Sequence, residues 1–122
     1  MRTILFIDVD GVLNIYNEKN GITWREERDE FLAWAAEHFE CRFLTAWFDS
    51  IHKELPRKFH FPVENWNDNK AEALWKLPLD RKWVFLDDDE WDLSNVRAPG
   101  QFVLIDGFKP GELRRVMRLL KP

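Results

Sequence analysis

Short apolar runs alternate with longer stretches of mixed character along most of this chain of 122 residues. Short runs rich in branched and aromatic residues are typical of buried strands. Pro62 interrupts one of these runs, and an interrupted run is typical of a strand at the edge of a sheet. The pattern predicts strands at residues 3–9, 41–45, 83–86 and 102–105, and a weaker edge strand at 59–63.

Between these runs, apolar residues recur every three or four positions, which is typical of amphipathic helices. The spacing predicts helices at residues 24–39, 46–55, 68–77 and 111–120, and a loop or small hairpin at 11–21. Alternating strands and helices favour a mostly parallel sheet covered on both faces. The predicted fold class is therefore α/β: a three-layer Rossmann-like sandwich with a five-stranded sheet, forming a single domain over residues 1–122.

Composition narrows the class of protein without naming a function. The formal net charge of -4 disfavours a generally basic nucleic-acid coat protein. The lone Cys41 has no partner for an internal disulfide, and no apolar run approaches the roughly 20 residues of a membrane span. We therefore expect a cytoplasmic protein that makes no contact with membranes.

Polar residues lie at the ends of several predicted strands. In parallel sheets, ligands bind beyond the carboxyl ends of the strands. Carboxylates gathered there would repel one another unless a cation neutralised them, and a set of oxygen ligands suits Mg²⁺. The three histidines are scattered, so no zinc site is predicted. The residues at this edge are Asp8 and Asp10 at the end of the first strand, Thr45 at the end of the strand at 41–45, and Asp87, Asp88 and Asp89 at the end of the strand at 83–86.

A divalent ion beside a free carboxylate is suited to phosphoryl transfer. The carboxylate can attack phosphorus to form an acyl phosphate, while the ion draws charge from the phosphate oxygens. Thr45 offers a hydroxyl, and Lys70 offers a cation in the first turn of its predicted helix; Lys76 is a second candidate, but it lies late in that helix. The residues alone thus favour a metal-dependent phosphoryl-transfer site.

The same residues resemble a known family. "DVDGVL", residues 8–13, matches the first motif of the haloacid dehalogenase-like (HAD) superfamily of phosphohydrolases. Thr45 in "FLTAW", Lys70, and the pair Asp87 and Asp88 resemble the second, third and fourth motifs, in the same order. More narrowly, "FIDVDGVLN", "LTAW" and "VFLDDD" are similar to the HAD domains of Swiss-army-knife RNA-repair proteins and to polynucleotide-end phosphatases.

The resemblance implies a role for each position. Asp8 would be the nucleophile and a Mg²⁺ ligand. Asp10 would be general acid and then general base, with its backbone carbonyl on the metal. Thr45 and Lys70 would bind the phosphoryl group, and Asp87 and Asp88 would complete the metal site; among the three consecutive aspartates, the first two are preferred.

Short spacings between the motifs imply an enzyme without a cap domain. About thirty residues separate the first motif from the second, and about twenty-five separate the second from the third. Neither segment is long enough for a folded domain of typical size. In this family an open site is associated with large substrates, so a nucleic-acid end or a phosphoprotein is the expected partner, while a small metabolite and the oligomeric state stay open.

Other interpretations compete with this one. An inactive HAD-like domain with a binding or regulatory role would keep the fold. A metal nuclease would share the carboxylates but would not need the Thr and Lys series. A response-regulator receiver would need an Asp after the predicted strand at 59–63, where the chain has Glu64 and Asn65.

Several further residues have two possible uses. The "DG" pair at Asp106 indicates a turn more than a ligand. Trp47 and Trp91 could stack on a base or sugar, although packing is the commoner use. A basic helix face could bind a phosphate backbone but is more often merely solvated; it consists of Arg114, Arg115 and Arg118.

Overall fold

The computed structural model describes residues 1–19, 21–89 and 100–120. Within them, no helix is long and apolar enough to cross a membrane. The strands are β1 (Ile4–Ile7), β2 (Asn14–Asn17), β3 (Gly21–Trp24), β4 (Glu40–Phe43), β5 (Trp83–Asp87) and β6 (Gly100–Leu104). The helices are α1 (Arg28–His38), α2 (Ala71–Trp75) and α3 (Glu112–Leu119), with 3-10 helices at Phe48–Lys53 and Arg57–Phe59.

Four parallel strands form the main sheet in the order β4-β1-β5-β6. Ile7, the last residue of β1, pairs with Phe43 of β4 on one side and Leu86 of β5 on the other. The three strands therefore end at the same level, and the residues that follow them meet at one edge. The predicted α/β class with a mostly parallel sheet is confirmed.

Helices cover both faces of this sheet, as predicted. Alternate residues of a strand point to opposite faces, and all four side chains of β1 are fully buried. Leu5 and Ile7 pack in a cluster with residues of α1 and α3, whereas Ile4 and Phe6 pack in a second cluster with residues of α2. Each such buried side chain contributes about 2 kcal/mol, so both faces hold β1 in place.

The predicted edge strand at 59–63 is wrong, and the described sheet therefore has four strands, not five. Residues Arg57–Phe59 form a 3-10 helix, and Val63 makes only an isolated bridge to Phe43. Pro62 can accept a hydrogen bond from Phe43 N at 2.8 Å but has no N–H to return one. A ladder therefore cannot extend through Pro62.

Three predicted helices are shorter than expected. The helix predicted at 24–39 starts only at Arg28, because Trp24 pairs with Asn14 in a hairpin. The one predicted at 46–55 is a 3-10 helix, and its first residue, Phe48, has a φ of 49°. The one predicted at 68–77 is reduced to α2, because Asn69 Oδ1 accepts the N–H of Ala71 at 2.8 Å and sets a late start.

The loop or hairpin predicted at 11–21 is an antiparallel hairpin, β2–β3. Arg25 closes its base, and only 4% of this side chain is exposed. Its guanidinium donates to four backbone carbonyls at 2.6–3.0 Å: Gly11, Val12, Asp106 and Lys109. Arg25 thus joins the turn after β1 to the loop after β6.

We expect Arg25→Met to lower the free energy of unfolding by about 3 kcal/mol, because four buried carbonyls would lose a charged donor. Urea denaturation followed by circular dichroism measures the change. Arg118→Met removes the same charge from an exposed position of α3 and should change stability by no more than about 0.5 kcal/mol. Equal effects of the two substitutions would contradict this role for Arg25.

Candidate active site

Asp8 lies directly after β1 and is 5% exposed. Its Oδ1 accepts the N–H of Val9 at 2.7 Å, and its Oδ2 accepts Nζ of Lys70 at 2.7 Å. The same ammonium lies 3.3 Å from Oδ2 of Asp87, which is fully buried at the end of β5. A buried charge is tolerated when it is paired and hydrogen-bonded, so the three groups depend on one another.

Asp88 adds a third carboxylate. Asp8, Asp87 and Asp88 each offer one oxygen, and these oxygens all lie within 4.8 Å of one another. Burial, and next the charge of Asp8, raise the pKa of Asp88, although a hydrogen bond with Asp87 acts in the opposite direction. Since the Lys70 ammonium offsets only one of three negative charges, this cluster of oxygens fits a hard divalent cation such as Mg²⁺.

The third of the consecutive aspartates lies apart from this group. Asp89 is exposed, and its backbone N–H donates to Oδ1 of Asp87 at 3.2 Å. The structure thus brings Asp87 and Asp88 together with Asp8. Asp87 and Asp88 are the two that were preferred from the sequence.

Thr45 leaves the sheet beside Asp8, because the N–H of Leu44 still donates to the carbonyl of Ile7 at 3.0 Å. Thr45 is 1% exposed, and its Oγ1 accepts the backbone N–H of Trp47 at 3.2 Å. The indole N–H of Trp66 donates to its carbonyl at 3.3 Å. These bonds fix the hydroxyl at the edge where the aspartates lie.

The Asp10 carboxylate forms hydrogen bonds with residues other than the three metal-binding candidates. Its Oδ1 accepts Nδ2 of Asn14 at 2.9 Å and the indole N–H of Trp47 at 3.0 Å. Asn14 is 1% exposed, and its Oδ1 accepts the N–H of Gly11 at 2.7 Å. Asn14 and Trp47 thus hold the side chain of Asp10, which the DVDGVL spacing could not reveal.

Two residues that surround Asp88 are not among the predicted site residues. Tyr16 on β2 has its pKa raised by burial and then by the charge of Asp88, so its hydroxyl stays protonated and can donate to that carboxylate. Gly11, with a φ of 79°, leaves no room for a Cβ, which would lie 2.1 Å from Asp88 Oδ2. The glycine that follows the two aspartates of the DVDGVL motif was the sequence signal available for the contact between Gly11 and Asp88.

Other residues that the sequence suggested lie elsewhere or are used differently. Lys76 is exposed just past the last residue of α2, and Asp106 forms a turn by accepting the N–H of Phe108 at 2.9 Å. Trp91 lies outside the described residues. Two members of the basic face are occupied by carboxylates: Arg114 lies 3.6 Å from Glu27, and Arg115 lies 2.6 Å from Glu112.

Trp47, which the sequence assigned either to packing or to stacking on a substrate, is in contact with both the core and the site. Its ring packs against that of Trp24 at 5.8 Å between centroids, while its indole N–H reaches Asp10. Trp47 is therefore a packed residue that also has a polar contact at the site.

No protein-family model matches the sequence, and no curated protein matches it. Among solved structures, the chain is similar to a crystal structure of a hypothetical protein from Xanthomonas campestris, with a TM-score of 0.57 and 18% sequence identity. The match covers 94% of this chain and 79% of the other. At this identity the similarity shows a shared fold.

Gly11→Ala should weaken binding of Mg²⁺, because the added methyl would displace Asp88. Gly21→Ala is the matched control: its φ is 76°, but nothing lies within 4 Å of the new Cβ. Both variants bear the cost of a left-handed backbone, about 1 kcal/mol, so only the displacement of Asp88 differs. Calorimetric Mg²⁺ titration should show at least a tenfold rise in Kd for the first variant alone; equal Kd values would contradict the contact.

Asp88→Asn should stabilise the metal-free protein by about 1 kcal/mol, because it removes a charge that burial and Asp8 both disfavour. Because the pKa of Asp88 is raised in the folded protein, ionisation of this carboxyl as the pH rises lowers the free energy of unfolding. The gain in stability from Asp88→Asn should therefore shrink as the pH is lowered. Thermal unfolding with a chelator at several pH values measures this. A loss of stability at neutral pH would contradict repulsion within the cluster.

Proposed function

We propose that this protein is a Mg²⁺-dependent phosphoester hydrolase that acts through an aspartyl-phosphate on Asp8, as expected of a capless member of the HAD-like superfamily. One observation carries the proposal: the Asp8 carboxylate follows the central strand with Lys70 at 2.7 Å and two further carboxylates within reach of the same ion. Asp8, Asp87 and Asp88 would hold the metal. When bound, Mg²⁺ would offset their charge and that of the phosphate.

The chain's own residues supply the chemistry around phosphorus. Lys70 lowers the repulsion between the Asp8 carboxylate and an approaching phosphate dianion, and its ammonium can donate to the phosphoryl oxygens. The hydroxyl of Thr45 at the same edge can donate to another of these oxygens. Burial of Asp8 limits access of water, so its attack on phosphorus is favoured over direct hydrolysis.

Asp10 would move the proton in the proposed reaction. As the oxygen of Asp8 bonds to phosphorus, the ester P–O bond breaks, and the leaving oxygen takes a proton from the Asp10 carboxyl. In the second step, water gives a proton to the Asp10 carboxylate and attacks phosphorus. This releases inorganic phosphate and restores the Asp8 carboxylate.

The surroundings of the site support a large substrate. Between Asp10 and Thr45 the described residues form the β2–β3 hairpin, α1 and β4, and between Thr45 and Lys70 the regular elements are two short 3-10 helices. Beside Asp88, a groove of about 560 Å³ is lined by Tyr16 and Phe108, whose rings lie 5.3 Å apart. A phosphorylated nucleic-acid end or a phosphoprotein could thus approach Asp88 from outside.

Asp8→Asn should abolish hydrolysis of p-nitrophenyl phosphate in the presence of Mg²⁺, by about a thousandfold or more, because an amide cannot form the acyl phosphate. Asp80→Asn makes the same change at an exposed position and should keep full activity. A chelator should stop the reaction, and added Mg²⁺ should restore it.

Full activity of the Asp8→Asn variant would refute the mechanism. An inactive wild-type chain that still binds Mg²⁺ would instead favour the alternative of a binding domain. Comparison of 5′- and 3′-phosphorylated oligonucleotides with phosphopeptides and small phosphorylated metabolites would then identify the substrate class of an active chain.

A further inference from the structure

One oxygen of Asp10 receives two N–H groups, while the other receives none from the described part of the chain. Oδ1 accepts from Asn14 at 2.9 Å and from Trp47 at 3.0 Å. In a neutral carboxyl group, the oxygen that accepts two such bonds is the carbonyl oxygen, and the proton resides on the other. The contacts therefore select Oδ2 as the oxygen that carries the mobile proton.

The indole of Trp47 is held by packing and by its backbone. Its ring contacts Trp24, and its backbone N–H donates to Oγ1 of Thr45. The next residue, Phe48, has a φ of 49°, a left-handed backbone that is uncommon for a bulky residue. Such strained positions cluster at functional sites, where the surrounding structure maintains them. Here the strain directly follows the residue whose indole reaches Asp10.

Asn14 is held just as firmly. Its Oδ1 must face the Gly11 N–H, which is a donor, so its Nδ2 must face Asp10. Neither contact residue can exchange the proton of Asp10 near neutral pH, since an indole N–H and an amide NH₂ only donate. They can orient the carboxyl group without competing with it.

We infer that Trp47 and Asn14 are positioning residues, which orient Asp10 so that its Oδ2–H faces the leaving oxygen of the substrate. This inference rests on the proposed function. As Asp8 forms its bond to phosphorus and the ester bond breaks, the electron pair stays on the leaving oxygen and the Oδ2 proton neutralises it. The benefit is greatest for a strongly basic leaving group such as an alkoxide and least for p-nitrophenolate.

The test compares kcat/KM for an alkyl phosphate and for p-nitrophenyl phosphate. This constant reports the steps up to loss of the leaving group, so the later hydrolysis of the acyl phosphate does not obscure it. In Trp47→Phe, the alkyl-to-aryl ratio of kcat/KM should fall about tenfold, a part of the 10²–10⁴-fold that general acid catalysis supplies. Asp10→Asn should lower the ratio further.

Trp34→Phe is the matched control for loss of an indole. Trp34 packs against Phe31, His38 and Phe39 on and beside α1, and its substitution should leave the ratio unchanged. If Trp47→Phe does not fold, Asn14→Asp provides a second test, because it keeps the acceptor for Gly11 and removes the donor to Asp10. The ratio should fall in that variant as well.

The inference would be overturned if Asp10→Asn lowered the ratio but folded Trp47→Phe left it unchanged. If Trp47→Phe does not fold, an unchanged ratio in Asn14→Asp would overturn it in the same way. A uniform fall for both substrates would overturn it too, because that is the effect of a merely structural residue. Failure of the wild-type chain to hydrolyse either phosphate would overturn the proposed function itself, and this inference with it.

Discussion

The ammonium of Lys70 is the interaction on which this end of the sheet depends. β1 and β5 lie side by side and end at the same level, so the chain places Asp8 and Asp87 next to each other where water has little access. Without a cation, two buried carboxylates placed side by side would repel each other strongly. Lys70 comes from a segment far along the chain and bonds to both. The charged cluster is therefore complete only when these distant segments are folded together.

Lys70 carries one positive charge, which offsets only part of the charge of the three carboxylates in the cluster. A third carboxylate, Asp88, shares the site and has an unfavourable charge there. A protein selected only for stability would replace it, as buried charges rarely improve folding relative to apolar residues. Under the proposed function, Asp88 would help to hold a cation at the expense of the stability of the metal-free chain.

Sequence reasoning succeeded where a local pattern determines the structure. The short apolar runs identified all four strands of the main sheet, and their parallel order brought Asp8, Lys70, Asp87 and Asp88 to a common edge. It failed where contacts between residues far apart in the sequence determine the structure. Nothing near Arg25 indicates that it binds four carbonyls of two separate loops, and nothing near Trp47 indicates Asp10 as its partner. Pro62 indicates a strand at the edge of the sheet, but its missing N–H prevents a ladder from forming there altogether.

The β2–β3 hairpin is held at its base and free at its tip. Arg25 ties the base to the backbone around the site, whereas the described residues at the tip, Asn17, Glu18, Lys19 and Gly21, are exposed to solvent. Insertions are tolerated best at exposed loop tips. The hairpin could therefore be lengthened during evolution, or by design, until it covers the aspartates, without any change in the residues that hold them. In this fold, the length of the hairpin can vary while the charged cluster stays constant.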